Sequence, residues 1–261
     1  MSVLPLWKSH YSIGRSILTL EKAGSSKPTE PSSIIDLCLK YKLKKAVLVE
    51  DSFSGFLEAY SNFKDAGISL VFGLRTTITE DLSVKSEESL KNQHKVIIFP
   101  KNTDGYKKLI KISTKAQTDG FYYEPRLDYS FLSKVWNEAE LSIGIPFYDS
   151  FIFNNLILGA HCVPRFDFCA PTFFLEENFL PFDVIVRKTI INYVGNDFET
   201  TEAKSIYYAN REDFKAYQTF RCINNRSTLE TPNLESCSSP EFCAESWSEC
   251  NSLKCLTSTN N

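Results

Sequence analysis

Short apolar or β-branched runs alternate along the chain with stretches in which apolar residues recur every three or four positions. Runs of the first kind have strand length, and stretches of the second kind lay one helix face on a core. Leu4 to Trp7 is a first strand. From Ser33 to Lys42, residues Ile34, Leu37, Cys38 and Tyr41 share a helix face, and Pro31 with Ser32 or Ser33 supplies the start. Lys45 to Val49 is a second strand. Glu50, Asp51 and Ser52 then lead into a helix bearing Phe56, Leu57, Tyr60 and Phe63, which Gly67 closes in a left-handed C-cap. Ile68 to Leu74 is the third strand, the charged, Ser-rich interval Thr79 to Gln93 a poorly specified helix or loop, and Lys95 to Phe99 a strand. A basic amphipathic helix over Asp104 to Gln117 follows. It carries Tyr106, Leu109, Ile110 and Ser113 on one stripe, with Lys107, Lys108, Lys111 and Lys115 on its solvated surface. Leu141 to Ile145 reads as strand, Phe147 to Phe182 as an aromatic-rich region, Val184 to Val194 as helix, Ala203 to Tyr208 as strand and Arg211 to Cys222 as helix.

This alternation predicts an α/β domain over residues 1–223, with parallel strands joined by crossover helices. From Asn224 to Asn261 the chain turns to Ser, Asn, Thr, Cys and Glu, which predicts an extended, irregular tail with free thiols at Cys237, Cys243, Cys250 and Cys255. There are 261 residues, 43% of them hydrophobic, enough for a substantial core without a disulfide framework. The net charge of −3 leaves no overall positive field to draw in nucleic acid, so any DNA contact is local. No apolar run approaches a membrane span, and residues 1 to 20 contain no signal-peptide pattern, so a cytoplasmic protein with reduced thiols is expected. Only three histidines are present, His10, His94 and His161. His161 with Cys162 and Cys169 lacks the paired-cysteine spacing of a zinc site, and His10 reads as polar surface or cap.

One segment is specific enough to suggest a family. Phe99 to Tyr106 with Leu109 and Ile110, followed by Gly120 to Asp128, resembles the middle of the PHP domain that opens bacterial DNA polymerase III alpha subunits. Asn102, Gly105, Tyr106, Pro125 and Arg126 form its scaffold motif. Gly55 to Tyr60, Ala66 to Ile68 and Gly73 extend the resemblance upstream, and Tyr208, Glu212, Asp213, Ala216, Cys222, Ile223, Thr228, Leu229 and Pro232 extend it downstream, so that it covers about residues 3 to 245. It implies a distorted (β/α)7 TIM-like barrel with an irregular C-terminal tail, and a metal site of Zn, Mn or Fe ions at the C-terminal ends of the strands. The polymerase core that follows in that family lies outside the resemblance, so no DNA synthesis is expected of this chain.

The same resemblance predicts that the metal site is dismantled. The family's first-strand histidines align on Leu6 and Lys8, its second motif on Val49 to Ser52 with Asp51 at the His position, a later carboxylate on Arg75, and the last His on Tyr207. Leu6 has no lone pair and the Lys8 ammonium carries a proton where coordination needs an electron pair. Each added cation at ~4 Å would repel a divalent ion by several kcal/mol at an effective dielectric of about 20. Glu50 and Asp51 are the remaining carboxylate candidates for acid–base work, although adjacent residues leaving a strand face opposite ways and a helix-capping role is simpler. Lys8, Arg75 and Lys204 are candidates for holding a phosphate, or for salt bridges with Glu50, Asp51 or Glu202. The expectation is a catalytically degenerate, cofactor-free interaction module in DNA replication, with a partner such as a proofreading exonuclease subunit. The alternatives are a divergent metal-dependent phosphoesterase or 3′–5′ exonuclease, and a metal-free phosphate or nucleic-acid binder.

Overall fold

The computed structural model describes residues 2–25, 27, 30–228 and 239–258. In chain order its elements are β1 (Leu4–Trp7), α1 (Ile34–Lys40), β2 (Lys45–Glu50), α2 (Phe56–Asp65), β3 (Ser69–Thr79), α3 (Glu87–Lys91), β4 (His94–Pro100), α4 (Thr103–Gln117), β5 (Arg126–Asp128) and α5 (Tyr129–Val135). They continue with β6 (Leu141–Ile145), α6 (Phe151–Ile157), β7 (Thr172–Leu175), α7 (Asp183–Val194), β8 (Glu199–Ile206), a 3-10 turn at Arg211–Asp213, α8 (Phe214–Asn225) and α9 (Ala244–Ser258). In hydrogen-bond order the strands run β2-β1-β8-β7-β6-β4-β3-β5, and β2 also pairs with β3. Seven strands thus close into a barrel, and β5 rides outside on β3. The class is mixed α/β, in agreement with the distorted barrel the sequence implies.

The strands are not all parallel, which corrects the sequence reading. β4 runs antiparallel to both β3 and β6, with Arg75 opposite Ile97 and Ile98 opposite Ile143. The cause lies in residues 80–93, where the five-residue α3 buries no side chain. A crossover needs a helix packed on the sheet, and without one the chain returns as a hairpin does.

Two compact units are distinguished. The first comprises Met1–Phe72, Glu176–Asp183 and Glu202–Asn261. Here β1 lies between β2 and β8, parallel to both, with Trp7 level with Leu48 and Ile206. Trp7, Leu48, Ile34, Ile35, Phe63 and Tyr208 are fully buried. Ser33 caps α1, its side chain accepting from the Ile35 amide. Gly67, at φ +70°, ends α2 as expected, with the Ile68 amide returning to the Phe63 carbonyl. The buried face of α2 differs from the expected stripe: Ala59, Asn62 and Phe63 point inward while Leu57 and Tyr60 are exposed. Asn62 donates to the Leu20 carbonyl at 2.7 Å, so at this position the face meets passing backbone and takes a hydrogen-bonding side chain.

The predicted tail also differs. The sequence 244–258 is helical, and its Trp247 is buried, donating its indole N–H to the Val3 carbonyl at 2.8 Å. Cys243 is buried rather than displayed on a mobile tail, whereas Cys237 lies outside the described residues.

The second unit comprises Gly73–Leu175 and Val184–Thr201. It holds the aromatic cluster the composition announced: Phe151, Phe166, Phe173, Tyr193 and Phe198 meet at tilted and edge-to-face angles, with Phe151 and Tyr193 centroids 5.1 Å apart, and Phe151 and Phe173 are buried. Asn102 caps α4 by accepting from the Gly105 amide at 2.9 Å. The inward stripe of α4 is Gly105, Leu109, Ile112 and Ala116, not the expected Tyr106–Leu109–Ile110–Ser113 face. The helix is seated on Gly105, where a β-carbon would stand 2.0 Å from the Glu140 carbonyl oxygen. Among the described residues, no helix is long and apolar enough to cross a membrane.

Candidate functional site

In the first unit the strand ends gather four buried charged side chains. β1 finishes at Trp7, and the next residue, Lys8, turns its ammonium to Asp51 Oδ1 at 3.0 Å. Glu50, the last residue of β2, accepts from the Ser9 amide at 2.8 Å through one oxygen and from the Ser12 hydroxyl through the other. Ser12 Oγ accepts in turn from the Asp51 amide at 3.1 Å. Burial pushes the Glu50 carboxyl up, against the pull of the Lys8 ammonium and of the Ser12 and Ser9 donors.

Glu176 makes a second set of the same kind. It follows β7, is buried, and accepts from the Ser205 amide and hydroxyl, both at 2.8 Å, and from the Asn178 side chain at 3.1 Å. Burial raises its carboxyl too, opposed by the Ser205 and Asn178 donors and by the Lys204 charge. Lys204, buried on β8, donates to the Glu177 carbonyl at 3.0 Å. Sequence reasoning missed Glu176 because it left β7 unresolved inside the aromatic-rich region. The signal was present in Thr172 to Leu175, a strand-length apolar run ending in a carboxylate.

The remaining positions singled out from the sequence are occupied as follows. Leu6 is buried in β1, level with Val47 and Ser205. Tyr207 stacks between Tyr217 and Phe242, with centroids at 5.8 and 5.3 Å, and so fills an aromatic layer. Neither Glu50 nor Asp51 caps α2, whose N-cap is Gly55 without a side-chain bond; both carboxylates bind the residues that follow β1 instead. His10 is exposed and lies against the Leu18 carbonyl and the Tyr11 ring.

In the second unit Arg75, on β3, forms an ion pair with Asp149. Glu124 accepts from Thr77, Gln93 and Lys95, which fixes the turn before Pro125. Arg126 is fully buried beneath the Tyr122 ring, 4.9 Å from its centroid, and donates to the Gly120 carbonyl and to Ser89. His94 is buried with Nε2 2.9 Å from the Tyr129 hydroxyl, and desolvation, reinforced by Lys95, pulls its imidazole down to about 3. Lys107, Lys108 and Lys115 pair with Asp104, Glu140 and Asp119.

The donor chemistry does not fit a divalent metal centre of the kind the resemblance implies. Both Glu50 oxygens are engaged by serine donors, Tyr207 is stacked, and ammonium groups stand beside the carboxylates. Among the described residues no group of three or more His, Cys, Asp or Glu side chains is placed to hold a metal ion.

Comparison with known proteins agrees with this framework. The family model for the PHP domain matches residues 27–149. The DNA polymerase III alpha subunit of Aquifex aeolicus is 28% identical over 203 residues, 71% of this chain and 17% of that protein. The alpha subunit of Borreliella burgdorferi is 27% identical over 236 residues, 81% of this chain and 20% of that protein. In Helicobacter pylori the alpha subunit is 33% identical over 92 residues, 34% of this chain and 8% of that protein. The chain therefore spans about a fifth or less of the length of these curated relatives. Residues 27–149 thus match the PHP domain, and the chain is distantly similar over most of its length to the DNA polymerase III alpha subunit.

Proposed function

We propose that this chain is a non-hydrolytic PHP module that works by binding a replication protein, with a proofreading exonuclease subunit as the candidate partner. The observation that carries the reading is the Lys8–Asp51 ion pair at the end of β1, where the family resemblance calls for metal-binding imidazoles. A cation held there at 3.0 Å from a carboxylate opposes the binding of a second cation and leaves no lone pair for coordination. An interaction role is also supported by α7, which leaves Val184, Ile185 and Ile191 exposed. A contiguous apolar patch left at the surface is a mark of a protein contact.

Two measurements test the reading. Purified protein is expected to contain no stoichiometric zinc, manganese or iron and to hydrolyse neither phosphomonoesters nor the 3′ end of DNA in the presence of manganese. Tagged protein is expected to retain a replication protein from cells, and Val184→Glu with Ile191→Glu to weaken that retention. Stoichiometric metal with chelator-sensitive hydrolysis would overturn the non-hydrolytic part, and recovery of no replication protein would overturn the partner.

A further inference from the structure

Within the first unit, two buried glutamates are served in the same way by neighbouring strands. Glu50, at the end of β2, takes an amide from Ser9 and a hydroxyl from Ser12, and the Lys8 ammonium next to them in sequence is held 3.0 Å from Asp51 Oδ1, adding its charge to both carboxylates. Glu176, just past β7, takes an amide and a hydroxyl from Ser205 and the charge of Lys204, all from β8. Each set thus combines a carboxylate, a backbone N–H, a serine hydroxyl and a lysine. Lys8, Lys204, Glu50 and Glu176 are all buried, between 1% and 5% exposed. Buried charges persist only when paired and hydrogen-bonded, and removing one partner leaves the other uncompensated.

We propose that Lys8 and Lys204 are tethered counter-cations, each carrying permanently, on a side chain, the positive charge that a bound divalent ion supplies in a metal-dependent barrel. The strand ends of this unit then hold their shape with no dissociable ion. This rests on the metal-free reading of the site and not on the identity of any partner. Two sets built alike on separate strand pairs are hard to attribute to one accidental salt bridge. Lys204 further secures its set by donating to the Glu177 carbonyl, next in sequence to Glu176.

Thermal unfolding of the full chain tests the proposal. The wild-type midpoint is expected to be the same with chelator and with added manganese. Lys8→Met and Lys204→Met should each lower it by several degrees, because each strands a buried carboxylate. Adding Glu50→Gln with Asp51→Asn to the first variant and Glu176→Gln to the second should restore much of the loss, since a neutral amide needs no counter-charge. Lys8→Arg, which keeps the charge, should stay closer to wild type than Lys8→Met. If either lysine variant fails to fold, its amide-compensated variant still decides, because it should fold only if charge compensation is the lysine's role. Stoichiometric manganese binding with a raised wild-type midpoint would sink both this proposal and the metal-free reading. Lysine losses that their paired amide changes do not relieve, in a protein still indifferent to manganese, would sink the tethered-cation proposal alone.

Discussion

At Gly105 a single methyl group decides how α4 seats. An added β-carbon would lie 2.0 Å from the Glu140 carbonyl oxygen, and backbone on both sides leaves little to yield. Gly105→Ala is therefore expected to destabilise the fold by about 2–3 kcal/mol, read from urea unfolding, although alanine favours helices. His94 carries a second prediction. Below pH 6.5 the unfolded chain takes a proton at this imidazole, and the folded chain takes it only near pH 3. The unfolded state thus binds more protons across that window, and stability falls as the pH drops through it, by at most about 1.4 kcal/mol per unit. Glu50 and Glu176, whose carboxyls burial raises, act in the opposite sense, so the comparison is made between proteins that share them. His94→Gln, whose amide can accept from or donate to the Tyr129 hydroxyl, should give a flatter stability profile between pH 6 and 4; an unchanged slope would refute the buried neutral imidazole. Asn102 and Gly105 were legible as part of the scaffold motif, though not as cap and seat of α4, and the tasks of Lys8 and Glu50 were not legible, since their partners are 43 and 38 residues away.

Among the elements, α9 was the least visible in the sequence, for a definable reason. A helix start is read from a Ser, Thr, Asp or Asn cap, but the first amides of α9 are satisfied from outside it. Ala244 and Glu245 donate to the Tyr208 and Ala209 carbonyls, both at 3.1 Å. Its hold on the first unit comes from Trp247 on the Val3 carbonyl, Asn251 accepting from the Val3 amide, and Arg211 bridging Glu241 and Glu249. None of these produces a periodic apolar stripe. Trp247→Ala is expected to cost about 3–5 kcal/mol through cavity formation. It should also speed hydrogen exchange at the Val3 amide; full protection there would show that α9 contributes nothing to holding β1. The regular strands were easier: β1 and β6 fall where their apolar runs place them, because strand length and flanking turns leave little choice.

Over the whole molecule, the net charge of −3 combines with ion pairs that engage several of the cations locally. Lys8, Arg75, Lys95, Lys108, Lys115 and Arg211 each pair with an acidic side chain. Counterion release needs cations turned toward solvent and phosphate, so saturable binding of a single-stranded oligonucleotide at physiological salt is not expected. Fluorescence anisotropy checks this, and tight binding with a steep salt slope would favour a nucleic-acid role. Barrel class and family were legible because scaffold motifs are local in sequence. The antiparallel course of β4 and the second buried glutamate were not, since both depend on which strands become neighbours.

The burial of two lysines has a use at the bench. Acylating reagents attack amines that are deprotonated and reachable, and Lys8 and Lys204 are only 5% and 2% exposed. In native protein these two should remain unlabelled after exposed residues such as Lys107 have reacted. The minute at which mass spectrometry first finds them acylated becomes a clock for the opening of the strand ends.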